Sequence, residues 1–219
     1  MRASLSQLTD IPPMTAGNLA LSLLALPLIA LLGQEVAEIS PIAELAVQWG
    51  LVVAVVGLAV YGERQSLARI GFRRPTWRDL GYTLATVVAA LLVFAGTDPA
   101  VEALGLPVAG DDGTMVAGVG IGVALARAVT TSIVEEILFR GYPIERLVAY
   151  TDSPLVAGGL TWGIFIVAHA AVWPVGNLLQ IAAVAAVLTA VYLRRRTFFP
   201  VVSAHVLVWA LSVMGQYYG

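Results

Sequence analysis

Long apolar stretches alternate with short polar ones along nearly the whole chain, at about 15–33, 42–61, 80–97, 114–135, 155–172, 175–193 and 198–217. Each is close to the ~17 to 25 residues an α-helix needs to cross a bilayer. The pattern predicts an all-α fold, a polytopic membrane helical bundle of about seven transmembrane helices. Pro27 falls in the middle of the first run and predicts a kink, which a bundle accommodates when neighbouring groups satisfy the freed carbonyl. Ahead of that run, Arg2 is followed by polar residues and Pro12-Pro13, without the charged, apolar and small-residue sequence of a cleaved leader, so the first helix is expected to be retained.

Composition strengthens this reading. Charged residues make up 12% of the chain and apolar ones 59%, with a mean hydropathy of +0.87, against about 25% charged in soluble domains. This is the profile of an integral membrane protein. No polar segment is long enough for a second core, so residues 1–219 are expected to form a single membrane domain: two N-terminal helices in 1–61, an interfacial arginine-rich segment at 62–79, and core helices in 80–217. The absence of cysteine excludes disulfides, thiolate metal sites and thiol nucleophiles.

The net charge of −2 is small, and its distribution says more. Every basic residue is an arginine. Arg64, Arg69, Arg73, Arg74 and Arg78 follow the second apolar run, Arg140 and Arg146 the fourth, and Arg194, Arg195 and Arg196 the sixth, whereas the intervening loops carry Glu35, Glu38, Asp98, Glu102, Asp111 and Asp112. By the positive-inside rule the N-terminus and the arginine loops are cytoplasmic and the C-terminus lies outside. In 62–79 the arginines alternate with Ile70, Phe72 and Trp77, as expected for a segment anchored on lipid headgroups. A topology signal of this kind predicts a lipid bilayer as partner and no nucleic acid. Asp111-Asp112-Gly113 is expected to cap the next helix, and no internal repeat is visible.

One stretch breaks the apolar pattern. In Arg127-Ala-Val-Thr-Thr-Ser-Ile-Val-Glu135-Glu136-Ile-Leu-Phe-Arg140-Gly-Tyr-Pro143 two adjacent carboxylates sit at membrane depth. An ionisable side chain there costs at least ~2.5 to 3.5 kcal/mol and is functional, paired or wet. Glu136 and Arg140 stand at i and i+4 with the acid on the N-terminal side, the favourable order for an ion pair. Glu135 points about 100° away around the helix, without a local cation. Glu136 therefore reads as structural and Glu135 as the working carboxylate, the plainer alternative being a solvated helix end. His169 and His205 are the chain's two histidines, and both lie in apolar runs of its C-terminal third. Packing histidines account for one such residue more readily than for two beside a Glu-Glu pair. Carboxylate and imidazole together make a general acid/base centre, in which one group polarises a water and the other positions it or moves its proton.

The order Glu135-Glu136-x-x-x-Arg140, then Phe165-x-x-x-His169, then a late helix with His205, resembles the three motifs of the CPBP superfamily, the type II CAAX prenyl proteases and their bacteriocin-processing or Abi relatives. Flanking segments are similar too: Gly71-Phe-Arg-Arg-Pro-Thr-Trp-Arg-Asp79, Phe139-Arg-Gly-Tyr142, and Tyr192-Leu-Arg-Arg-Arg-Thr197 leading to Pro200. The resemblance covers about 62–210. It implies an intramembrane endopeptidase in a multi-pass protein of a prokaryotic plasma membrane, hydrolysing a peptide bond near the cytoplasmic side of a peptide or membrane-protein substrate. Glu135 with His169 would activate the water, His205 would help stabilise the oxyanion, and Glu136, Arg140 and Phe165 would support the site.

In one respect the chain departs from the family. Four residues after the last histidine the family usually has asparagine, a second oxyanion donor, and this chain has Trp209. The indole N–H is a substitute donor, but its bulk could fill the pocket, so a catalytically degenerate membrane scaffold or immunity-type protein is the alternative. A proton-coupled transporter is a weaker third reading, since repeat symmetry is missing. Zinc on Glu135, His169 and His205 is conceivable, because two histidines and a glutamate serve some zinc hydrolases. No His-Glu-x-x-His spacing exists here, and a metal-free mechanism is expected. Counted from the cytoplasmic helix ends, Glu135 and His205 fall in the inner half of the bilayer and His169 deeper, a mismatch that a re-entrant 141–154 segment or a shifted boundary would remove.

Overall fold

The computed structural model describes residues 10–33, 40–109, 116, 118–170 and 172–218. The expected acidic positions Glu35, Glu38, Asp111 and Asp112, with the helix cap at Asp111-Asp112-Gly113, lie outside the described residues. Those described are helical or in short connections, with no strand among them. The helices are α1 (Pro13–Gly33), α2 (Pro41–Gly57, extended by a π-turn at Leu58–Gly62), α3 (Trp77–Ala103), α4 (Ile121–Glu135), α5 (Tyr142–Thr151), α6 (Pro154–Ala170), α7 (Val175–Arg195) and α8 (Phe198–Tyr218). A π-turn, Glu136–Gly141, joins α4 to α5 without a break. Five helices, α1, α2, α3, α7 and α8, are long and apolar enough to cross a membrane. With the shorter α6 and the continuous α4–α5 rod they make a helical membrane bundle.

Local signals set the helix ends. Ser40 caps α2, its hydroxyl accepting from the Ala43 N–H at 3.3 Å, and Pro41 sits in the first turn where a missing N–H costs nothing. Asp79 accepts at 2.6 Å from the backbone N–H of Thr76 at the start of α3, and its second oxygen takes Arg195 Nε at 2.8 Å, pinning the end of α7 to the start of α3. The connection 62–79 is not simply laid on the surface. Trp77 is exposed, but Ile70 is fully buried, and Gly71 takes a left-handed φ of 104° beneath the Phe198 ring and the Tyr192 hydroxyl.

The π-turn after Glu135 follows from its sequence. The Tyr142 N–H bonds to the Ile137 carbonyl, five residues back. Pro143 has no N–H to give the next carbonyl, Leu138, and this accepts from the Ser22 hydroxyl of α1 at 2.6 Å. The helix therefore neither stops at Glu135 nor re-enters at 141–154: it runs on to Thr151, ends on left-handed Asp152, and turns into α6. Glu135 and His169 then stand nearly equal distances from that turn, which removes the depth mismatch. The expected boundary at 135 marks where the apolar run gives way to charge, and the helix runs on through it.

Packing is uneven along the bundle. The main core, with Ile70, Leu138, Ile144, Tyr142, Tyr192, Phe198 and Val201 buried, fills the half nearer the arginine loops. Beneath it runs a layer of paired charges: Glu145 with Arg196 at 2.6 Å and Arg73 at 3.6 Å, and Glu63 with Arg146 at 2.9 Å. The other half has, among the described residues, a small cluster around Ala124, Ala128 and Val213. Gly141 is where α8 closes on the rod, since a Cβ there would sit 1.8 Å from Phe198 Cζ. Gly141→Ala is expected to push Phe198 away and cost about 1 to 3 kcal/mol, the usual range for overpacking, read as a lowered melting midpoint in detergent; an unchanged midpoint would contradict this packing.

Candidate active site

Three helices deliver the acid and imidazole groups to one place. Glu135 and Glu136 come at the α4–α5 junction, His169 from the last turn of α6, and His205 from the second turn of α8. His169 Nε2 lies 3.7 Å from Glu135 Oε1, and His205 Nε2 lies 4.0 Å from Glu135 Oε2. All three groups line one cavity of about 770 Å³, together with Phe139, Arg140, Phe165 and Trp209. Glu136 stands behind the wall.

The two glutamates differ as their helical phases require. The Glu136 side chain is 0% exposed; its Oε1 accepts from Arg140 Nη1 at 2.5 Å and from His205 Nδ1 at 2.9 Å. Its Oε2 has no partner among the described residues. Arg140, also buried, reaches the Thr189 hydroxyl at 3.4 Å and sits 5.0 Å from the centre of the Phe165 ring. Glu135 is 15% exposed and faces the cavity with neither a local cation nor an arginine partner.

The histidine tautomers follow from their partners. His169 Nδ1 donates to the Phe165 carbonyl at 2.8 Å, because a carbonyl can only accept. His169 Nε2 then faces Glu135 Oε1. Phe165 packs edge-on against Phe139, with its centroid 4.1 Å from that of the His169 ring, and so fixes the imidazole plane. His205 donates from Nδ1 to Glu136 and accepts at Nε2 from the Trp209 indole N–H at 3.0 Å. Trp209 thus forms part of the cavity wall and does not plug it.

A zinc ion on Glu135, His169 and His205 would have to displace the Trp209 indole from His205. The His205 Nε2 lone pair, the one directed at Glu135, is engaged by Trp209, and no group of three metal-binding side chains is found among the described residues.

The cavity has a direction. Its floor is Arg140, Phe139, Phe165 and Leu188, and below the floor lies the packed layer of Tyr142, Ile144, Tyr192, Ile70 and Val201, all fully buried. From the floor the lining continues through Thr131 and Gln48 to Asn177, Ser212 and Gln216, at the helix ends opposite the arginine loops. Among the described residues no opening is seen at the arginine-rich end, near which hydrolysis was expected: the side chains there are packed solid. Sequence reading also missed Glu63, which accepts from Thr15, Asn18 and the Tyr142 hydroxyl and braces α1, α2 and α5 beneath the site. Its place in an arginine-rich stretch made it look like surface charge.

Residues 116–211 match the family model described as type II CAAX prenyl endopeptidase, Rce1-like. The match covers somewhat less than half of the 219 residues, contains Glu135, Glu136, Arg140, Phe165, His169, His205 and Trp209, and agrees with the resemblance carried by the three ordered motifs. No curated protein and no solved structure matches the chain.

The contrast between the glutamates gives a test of stability. Glu136→Ala strands the Arg140 guanidinium in the core and is expected to cost ~3 to 5 kcal/mol, seen as a large fall in melting midpoint. Glu135→Gln, which removes no ion pair with arginine, should leave the midpoint nearly unchanged. Equal effects of the two would contradict the assignment of roles.

Proposed function

We propose that this integral membrane protein, whose residues 116–211 match the type II CAAX prenyl endopeptidase family, is an intramembrane endopeptidase in which Glu135 activates a water against a peptide carbonyl. The observation that carries the reading is Glu135 Oε1 facing His169 Nε2, 3.7 Å apart on the wall of a large cavity. A separation of 3.7 Å is too long for a direct hydrogen bond and suits a small molecule that bridges the two groups, of which water is the smallest. Glu135 takes one of its protons, the hydroxide adds to the carbonyl carbon, and the C–N bond breaks as the nitrogen receives that proton, by way of His169 or directly from the carboxyl group.

The oxyanion donor comes from the His205–Trp209 pair. With neutral His205 the indole N–H is spent on Nε2. As charge develops on the carbonyl oxygen, it competes with Nε2 for the indole N–H, which then becomes its donor. Arg140 holds Glu136, and Glu136 holds His205, as positioning residues.

The alternative, a catalytically degenerate scaffold, draws on the same Trp209 contact, because an indole held permanently by His205 leaves no donor. The volume of the cavity beside Trp209 favours catalysis.

In a peptide-release assay on purified protein with an unbiased peptide library, Glu135→Ala and His169→Ala are expected to lower turnover by on the order of 10² to 10⁴, the usual weight of general base catalysis. Equal release by wild type and both variants would refute the proposal. Trp209→Phe keeps the bulk but loses the N–H and should lower kcat by about 10² or more, as loss of an oxyanion donor does, whereas Trp209→Asn keeps a donor and stays active. An inactive wild type that Trp209→Asn switches on would favour the degenerate scaffold.

A further inference from the structure

Among the described residues the bundle is sealed at one end and hollow at the other, and the charges say which end faces which compartment. Measured along the helices, ~15 Å separates Glu135 from Glu145 in the ionic layer. That interval is filled by Leu138, Tyr142, Ile144, Tyr192 and Val201, each fully buried, and by Phe198 pressed onto Gly141. On the other side of Glu135 the lining includes Thr131 and Gln48, then Ser212 and Gln216, and Gln216 is exposed at the far end of α8. The sealed end carries Arg69, Arg73, Arg74, Arg146, Arg195 and Arg196, whereas the described charges at the hollow end are Asp98, Glu102 and the Glu44–Arg127 pair. An excess of arginine in short loops marks the cytoplasmic side.

We propose that the chamber is reached from the extracytoplasmic side, so that its substrate is a polypeptide segment exposed at, or inserted from, the outer face of the membrane. The inference rests on the peptidase reading for the nature of the substrate, but not for the direction of access. It assigns the sealed half a task as well: the ionic layer and the aromatic plug above it separate Glu135 from cytoplasmic water and peptides. The walls nearest the mouth fit such a guest, because Gln48, Asn177, Ser212 and Gln216 present uncharged donors and acceptors that match a peptide backbone, and Leu91, Phe94 and Leu211 offer apolar surface for its side chains.

The chain has no cysteine, so single cysteines report access directly. Thr131→Cys and Ser212→Cys probe the chamber by conservative exchange, and Arg69→Cys marks the exposed arginine segment. Each is expressed in the full chain and treated with a membrane-impermeant sulfonated maleimide in sealed right-side-out and inverted vesicles. The chamber cysteines are expected to react at least tenfold faster in right-side-out vesicles, and Arg69→Cys at least tenfold faster in inverted ones. Chamber cysteines that react from the same side as Arg69→Cys, or from neither side, overturn the proposal. In the same right-side-out vesicles, new protein N-termini that depend on Glu135 are compared between wild type and Glu135→Ala by mass spectrometry. Termini in outer-face segments support the substrate assignment, and termini in cytoplasmic segments overturn it. Labelling as expected with no Glu135-dependent terminus upholds the direction of access and refutes the peptidase reading instead.

Discussion

Two opposite charges buried in an apolar bundle, Glu136 and Arg140, impose more on this structure than any other pair. Neither side chain has meaningful contact with solvent, so each depends on the other and on what the neighbouring helices bring. Spacing at i and i+4 makes the pair local, but one contact does not satisfy a guanidinium and a carboxylate. His205 Nδ1 comes from α8 to Glu136, Thr189 from α7 and the Phe165 ring from α6 to Arg140. Four helical segments are thereby brought to one level. The acid-base groups ride on these same segments: His169 one turn beyond Phe165, and Glu135 one position before Glu136.

Adjacency in sequence becomes opposition in role. A step of one residue on a helix rotates the side chain by about 100°, enough to turn Glu136 into the wall and leave Glu135 facing the cavity. Glu136 is spoken for by two donors, whereas Glu135 faces His169 Nε2 across 3.7 Å, too far for a direct hydrogen bond. The π-turn that follows contributes to this asymmetry. It lets the rod continue past Gly141 and Pro143, and the carbonyl it would orphan is taken by Ser22. A helix that stopped at Glu135 would have left both carboxylates at a helix end.

The division of the bundle into a packed and a hollow half explains how a charged centre persists in a hydrophobic protein. The packed half, closed by Phe198 on Gly141 and stitched below by Glu145, Glu63, Asp79 and their arginines, supplies the rigidity. Its ion pairs link α2, α3, α5 and α7 with the 62–79 connection. The hollow half supplies the space. Groups held rigidly on one side and open on the other suit the proposed hydrolysis, since reacting groups must be fixed before a substrate arrives.

The amino-acid sequence by itself determined what depends on spacing along one helix or on bulk composition. The apolar runs marked the helices, the arginine clusters marked the ends, and the i, i+4 relations of Glu136 with Arg140, Phe165 with His169 and His205 with Trp209 each became a contact. The three ordered motifs likewise identified the family that residues 116–211 match. Only the tertiary structure decided what depends on neighbours distant in sequence. Gly141 and Pro143 signal a helix stop to a local reading, and the rod passes through them because Ser22 and Phe198, from other helices, take up the carbonyl and the space. Glu63 and Glu145 were hidden among arginines that turned out to be their partners. The direction of the cavity was invisible for the same reason: a void is a property of several helices at once, and no single stretch of chain records which of its ends the others fill.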